Sequence, residues 1–221
     1  MHVELADLFR CPAHEGDGWL VVGAERTQQR VVLEGVLGCP TCGAEYPIRR
    51  GVTWFGQEIA QHGISIDAIS DDDAMRAAAL LGASDRNATL LFHGAPVALA
   101  RAVQGVAAVR CIVIDAPDSD AALAAYALSD APLAIVVSGD AAPLAASSVA
   151  GVWWSPPDDG RAPDDTVLRL LRARGRLISP AGHPLPRGFE ELARDSRQWV
   201  AERSTDATAA PTGLTQLRRR R

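Results

Sequence analysis

At 221 residues, 48% of them hydrophobic, the chain is long enough for one domain of ordinary size plus a small module, and apolar enough to build a core. No apolar run reaches the roughly 18 residues of a membrane span, and the opening MHVELADLFRCP lacks the basic start and apolar centre of a secretory signal, so no membrane contact and a cytoplasmic location are expected. A formal net charge of −5 excludes a broadly basic nucleic-acid surface, so that any RNA contact must be local, as at Arg49 and Arg50 or at the terminal run Arg218 to Arg221.

Residues 1–56 carry three of the four cysteines, Trp19 and Trp54, and the apolar stretches Trp19-Leu-Val-Val22 and Val31-Val-Leu-Glu-Gly-Val36, which predict short strands. Residues 57–86 are expected to be a linker leading into a helix. Asp71, Asp72 and Asp73 precede the run Ala74 to Leu81, and acidic residues suit a helix N-terminus. From 87 to 221, short apolar runs alternate with alanine-rich stretches, the pattern of parallel strands joined by crossover helices. Strands are predicted at Thr89 to His93, Cys111 to Asp115, Leu133 to Ser138, Val149 to Trp154 and Arg176 to Ser179, each continuously apolar as strands buried on both faces are. Helices are expected at Pro96 to Val106, Ser119 to Leu128 and Thr166 to Arg174, the last stopped by Gly175, and two closing strands at Arg197 to Arg203 and Gly213 to Arg218.

Cys11-Pro-Ala-His14 and Cys39-Pro-Thr-Cys42-Gly43 are two turns of ligand spacing, separated by enough chain for a β-hairpin. A two-residue gap lets both side chains of a tight turn point at one ion. With Cys11, His14, Cys39 and Cys42 all supplied by protein, the expected metal is a structural Zn2+ with no position left for an activated water. The alternative is that His14 is a solvent-exposed loop residue and the thiols hold nothing. Cys111, alone in an apolar run, reads as a buried core thiol.

The stretches Leu8-Phe-Arg-Cys-Pro12, Leu37-Gly-Cys-Pro-Thr-Cys-Gly43 and Ala44-Glu-Tyr-Pro-Ile-Arg-Arg-Gly-Val52 resemble the zinc-ribbon activator subunits of tRNA, rRNA and release-factor methyltransferases, with His14 in place of a cysteine. The later part resembles a class I methyltransferase that uses S-adenosylmethionine (SAM). Ala88 to Ala95 is similar to its first strand and glycine turn, Arg110 to Asp115 to the strand that ends in a ribose-binding acid, Gly139 to Leu144 to the segment whose Asp contacts adenine, and Val167 to Ile178 to a late helix-to-strand segment. The resemblance implies an α/β fold, a zinc ribbon followed by a Rossmann-like, mostly parallel sheet, with Gly94, Asp115 and Asp140 as candidate SAM contacts. The family's glycine-rich turn is reduced to His93-Gly94-Ala95-Pro96-Val97, so side chains are expected to obstruct the cofactor and SAM binding to be lost. Asp115 and Asp140 also read as strand-end caps, His183 as an ordered-loop residue and Trp153-Trp154 as core, against a base-stacking platform.

Two functions of different class follow. One is a non-catalytic interaction or activator module for a methyltransferase or RNA-modification partner, with RNA contact through the ribbon or the arginine tail. The other is an active SAM-dependent methyltransferase with a divergent turn. A plain zinc-ribbon nucleic-acid binder is a third, opposed by the acidic total charge. No catalytic residue is assigned.

Overall fold

The computed structural model describes residues 1–13, 18–56, 69–128, 130–138, 143–155, 163 and 165–205. A 3-10 turn at Val3–Leu8 leads into β1 (Val21–Gln28), β2 (Val31–Gly38), β3 (Glu45–Arg49) and β4 (Val52–Trp54). Then come α1 (Asp71–Leu80), β5 (Thr89–His93), α2 (Val97–Val106), β6 (Arg110–Ile114), α3 (Asp120–Ala127), β7 (Leu133–Val137), β8 (Val149–Trp154), α4 (Asp165–Leu168), β9 (Leu171–Pro180), β10 (Phe189–Arg194) and β11 (Gln198–Arg203).

These strands form one sheet in the order β1-β2-β3-β4-β7-β6-β5-β8-β9-β11-β10. From β4 to β9 every neighbouring pair is parallel, and the pairs on either side are antiparallel. Numbered from β5, the parallel strands β7-β6-β5-β8-β9 follow the order 3-2-1-4-5 of a doubly wound sheet. The fold is therefore α/β and Rossmann-like, with the N-terminal strands β1 to β4 continuing the same sheet beyond β7.

Local sequence accounts for most elements. Ser70 caps α1 by accepting from the Asp73 amide, and three aspartates occupy the first turn, where the helix dipole favours them. Ser119 caps α3 through the Ala122 amide. Strands β5, β6, β7 and β8 are buried almost throughout, as their continuous apolar runs require. Helices α1, α2 and α3 cover one face, where Leu81, Val97, Val103 and Leu123 join Phe92 and Val113. Here α1 ends directly on the sheet. A Cβ on Gly151 of β8 would lie 2.7 Å from the Leu81 carbonyl oxygen, so only glycine permits that approach. The opposite face packs Leu5, Phe9, Leu37 and Ile48 against Leu91, Val136 and Trp199.

Two predicted elements are corrected. The helix expected at Thr166 to Arg174 is a single turn, α4; Leu171 to Arg174 already belong to β9, and Gly175 lies inside that strand. The tertiary context outweighs helix propensity here, because β9 must run beside β8 with Val149 opposite Leu171. The closing hairpin is formed by β10 and β11, so Arg197 to Arg203 is a strand as expected, but its partner precedes it. Residues 213–218 lie outside the described residues.

Candidate functional site

The first cluster is made of thiols. Cys11 is brought in by the chain leaving the 3-10 turn, where the Arg10 amide donates to Pro143 and the Cys11 amide to Gly18. Cys39 and Cys42 come from the turn between β2 and β3, closed by the Gly43 amide on the Cys39 carbonyl (2.9 Å) and the Cys39 amide on Ala44 (2.8 Å). Gly43 has φ +71°, a conformation that glycine adopts freely. The three Sγ atoms lie within 4.8 Å of one another, and Cys11 and Cys42 are 3.7 Å apart. Four ligands at about 2.3 Å from a tetrahedral ion are separated by about 3.8 Å, so the group is dimensioned to hold a metal ion. Backbone amides, that of Cys42 first, hold the Cys39 thiol down to about 6, which favours the thiolate a metal requires. The Tyr46 hydroxyl is 3.3 Å from the Cys11 sulfur. His14, the predicted fourth ligand, lies outside the described residues.

The second candidate region is the crevice at the C-terminal ends of β5 and β8, where the strand order reverses and ligands of such sheets are held. Gly94 leaves β5 with φ +66° and donates its amide to Ile114 (2.9 Å). Pro96 then caps α2 without a side-chain hydrogen bond. The cap comes from elsewhere: Asp118, on the loop after β6, accepts from the Val97 amide at 2.9 Å and is 6% exposed. Burial outweighs that bond and raises the Asp118 carboxyl above its usual range.

Asp115, with φ +50°, turns its carboxylate towards the end of β7, where it accepts from the Ser138 amide (2.7 Å) and hydroxyl (3.4 Å). His93 and Trp154, opposite each other on β5 and β8, stack with ring centroids 4.3 Å apart. Ala95 and Val97, expected to obstruct the crevice, are instead fully buried in the core beneath α2. Asp140 lies outside the described residues. Sequence reasoning missed Asp118; the signal available was its place in the short segment between a strand and the Ser119 cap, facing a helix whose own N-cap is proline.

The remaining candidates are structural. His183 Nδ1 pairs with the buried Ser179 hydroxyl at 2.9 Å, and its carbonyl accepts from the Trp199 indole. Trp154 is buried, as a core residue is. Burial raises the Cys111 thiol far above its usual range, leaving it inert.

Asp118 carries a pH-dependent prediction. A carboxyl whose folded value is raised binds its proton to higher pH in the native state than in the unfolded one, so stability falls as pH rises through the window just above the ordinary carboxylate range. Asp118→Asn should therefore gain on the wild type in urea unfolding as pH rises from about 4 to 7; a difference constant across that range would contradict it.

No protein-family model and no curated protein matches the sequence. Among solved structures the chain is similar to geranyl diphosphate C-methyltransferase from Streptomyces coelicolor A3(2), at 14% identity, covering 48% of this chain and 42% of that one, with a TM-score of 0.38. It is also similar to phosphoethanolamine N-methyltransferase 2 of Haemonchus contortus, at 13% identity, 53% and 35% coverage and a TM-score of 0.37. A third is the candidate methyltransferase yhhF of Escherichia coli, at 15% identity, 71% and 94% coverage and a TM-score of 0.46. The chain thus spans less than half the length of the first two. At this level of likeness, the fold class rests on the strand order given above. Among the described residues no helix is long and apolar enough to cross a membrane.

Proposed function

We propose that this protein is a non-catalytic scaffold, a ribbon stapled by zinc and joined to a methyltransferase-type sheet, which serves a methyltransferase or RNA-modification partner as an interaction or activator module. The observation that carries the proposal is the Asp118 carboxylate on the Val97 amide. A helix N-terminus at this point of a doubly wound sheet is where an anionic ligand group is normally received. Here the chain's own carboxylate takes that place.

The other residues agree. Asp115 spends its carboxylate on Ser138, and the stacked His93 and Trp154 stand between the two strand ends. These groups do not fit a bound SAM in the manner the family resemblance implies. Zinc is the ion proposed for Cys11, Cys39 and Cys42, with His14 as the fourth ligand, because three thiolates in tetrahedral spacing select it among common divalent ions. Bound there, it would hold the β2–β3 turn to the segment after the 3-10 turn.

Calorimetric titration of the metal-loaded protein with SAM and with S-adenosylhomocysteine tests the proposal. No heat of binding is expected from either. Micromolar binding abolished by Asp115→Ala would overturn the non-catalytic assignment and make the chain a SAM-dependent methyltransferase.

A further inference from the structure

A groove of about 480 Å³ lies on the helix-covered face, between the β3–β4 hairpin and α3, away from the β5–β8 crevice. Its lining includes Glu45, Pro47, Arg49, Arg50, Trp54 and Leu123. That volume falls within the range of small-ligand sites and far exceeds what a lone inorganic anion fills. Arg49 and Arg50 are exposed, and neither guanidinium has an ion-pair or hydrogen-bond partner among the described residues.

The turn that presents them is held rigidly. Glu34 accepts from the Arg50 amide (3.2 Å) and from Arg26 (3.0 Å), while Arg50 itself sits at φ +50°, a conformation that a non-glycine residue keeps only when its surroundings impose it. Two exposed arginines without an ion-pair partner among the described residues thereby line a concave, partly aromatic surface, in a chain whose net charge is −5. Paired arginines suit the planar, bidentate recognition of phosphate. Pro47, Trp54 and Leu123 supply an apolar wall against which a base can lie, and aromatic contact of this sort is tolerant of base identity.

We infer that this groove binds single-stranded nucleic acid, with backbone phosphates on Arg49 and Arg50 and a base against Trp54. The site goes beyond the scaffold assignment and does not depend on it: SAM titration reads the crevice, whereas the measurement below reads the hairpin.

The experiment is fluorescence anisotropy of a labelled oligouridylate of about twelve nucleotides with the full chain, at salt between about 50 and 200 mM. Two phosphate contacts predict a slope near −1.4 for log K against log salt. The double variant R49A/R50A should weaken binding by roughly tenfold or more and bring the slope close to zero, while R49K/R50K should keep most of the slope. E45Q, which removes a negative charge from the groove, should tighten binding by about twofold. Unchanged affinity in folded R49A/R50A would overturn the inference. So would loss of binding caused instead by replacing Arg218 to Arg221 with alanine, or competition by poly-glutamate as strong as that by unlabelled oligouridylate, which would mark the arginines as a general anion patch.

Discussion

Replacing Cys39 by serine is expected to lower stability by more than about 4 kcal/mol, a loss of the size associated with losing a metal site. The strands concerned explain why. β1 is exposed along nearly its whole length, and β3 and β4 have only five and three residues, so the ribbon has little core of its own to keep the β2–β3 turn against the segment after the 3-10 turn. Structural zinc sites in small modules contribute about 10–16 kcal/mol of apparent binding free energy, and that energy is folding energy. Without an ion, the buried thiols of Cys11 and Cys39 beside Phe9 and Leu20 are left with weak polar contacts alone, such as those of Cys11 with the Cys42 sulfur (3.7 Å) and the Tyr46 hydroxyl (3.3 Å). The check is metal content by elemental analysis together with thermal unfolding, for wild type with and without a chelator and for Cys39→Ser and His14→Ala. A wild type that carries no metal and melts identically in chelator, or a Cys39→Ser protein that melts like wild type, would dispose of the zinc assignment.

The second large effect concerns the seam between ribbon and sheet. Thr53, at the centre of β4, is fully buried and stands opposite Ile48 of β3 on one side and Val136 of β7 on the other. Thr53→Pro fixes the backbone dihedral and removes a donor in the interior of a sheet, which should cost about 3 kcal/mol or more. Thr53→Val is the companion. The Thr53 hydroxyl is buried with no hydrogen-bond partner among the described residues, so the isosteric apolar side chain should be neutral or stabilising by about 1 kcal/mol. Chemical unfolding followed by tryptophan fluorescence measures both. If Thr53→Pro unfolds at the same denaturant concentration as wild type, β4 is not held by the sheet in the way the pairing indicates.

The central strands were legible because each of β5 to β8 is an uninterrupted apolar run, and such runs between helix-forming segments leave few alternatives. α1 and α3 were equally legible, since Ser70 and Ser119 announce their starts. What escaped depends on contacts distant in sequence. Leu171 to Arg174 has good helix formers, yet Leu171 pairs with Val149 of β8 and the next residues form the register shift that brings Arg176 opposite Gly151. Phe189 to Arg194, with two glutamates, leucine and alanine, gives no strand signal, and becomes one because Glu190, Glu191 and Arg194 stand at an exposed sheet edge beside β11. Of the candidate site, the thiol cluster could be read from spacing, since ligand turns are local. The role of Asp118 had a weaker local sign, its place just before the Ser119 cap, because the contact itself depends on a loop meeting the start of a helix 21 residues away.

The pairing of β4 with β7 also has a consequence for the order in which the chain is made. Val52 to Trp54 emerges from the ribosome about 80 residues before Ile135 to Val137, its partner in the sheet. At roughly 5–20 residues per second, β4 therefore waits on the order of 4–16 s with one edge unpaired. During that interval the ribbon has no sheet to lean on, whereas all the residues of its thiol cluster have already been synthesised. Metal capture early in translation would order the turn between β2 and β3 within that interval, so that β3 and β4 reach β7 as a finished template.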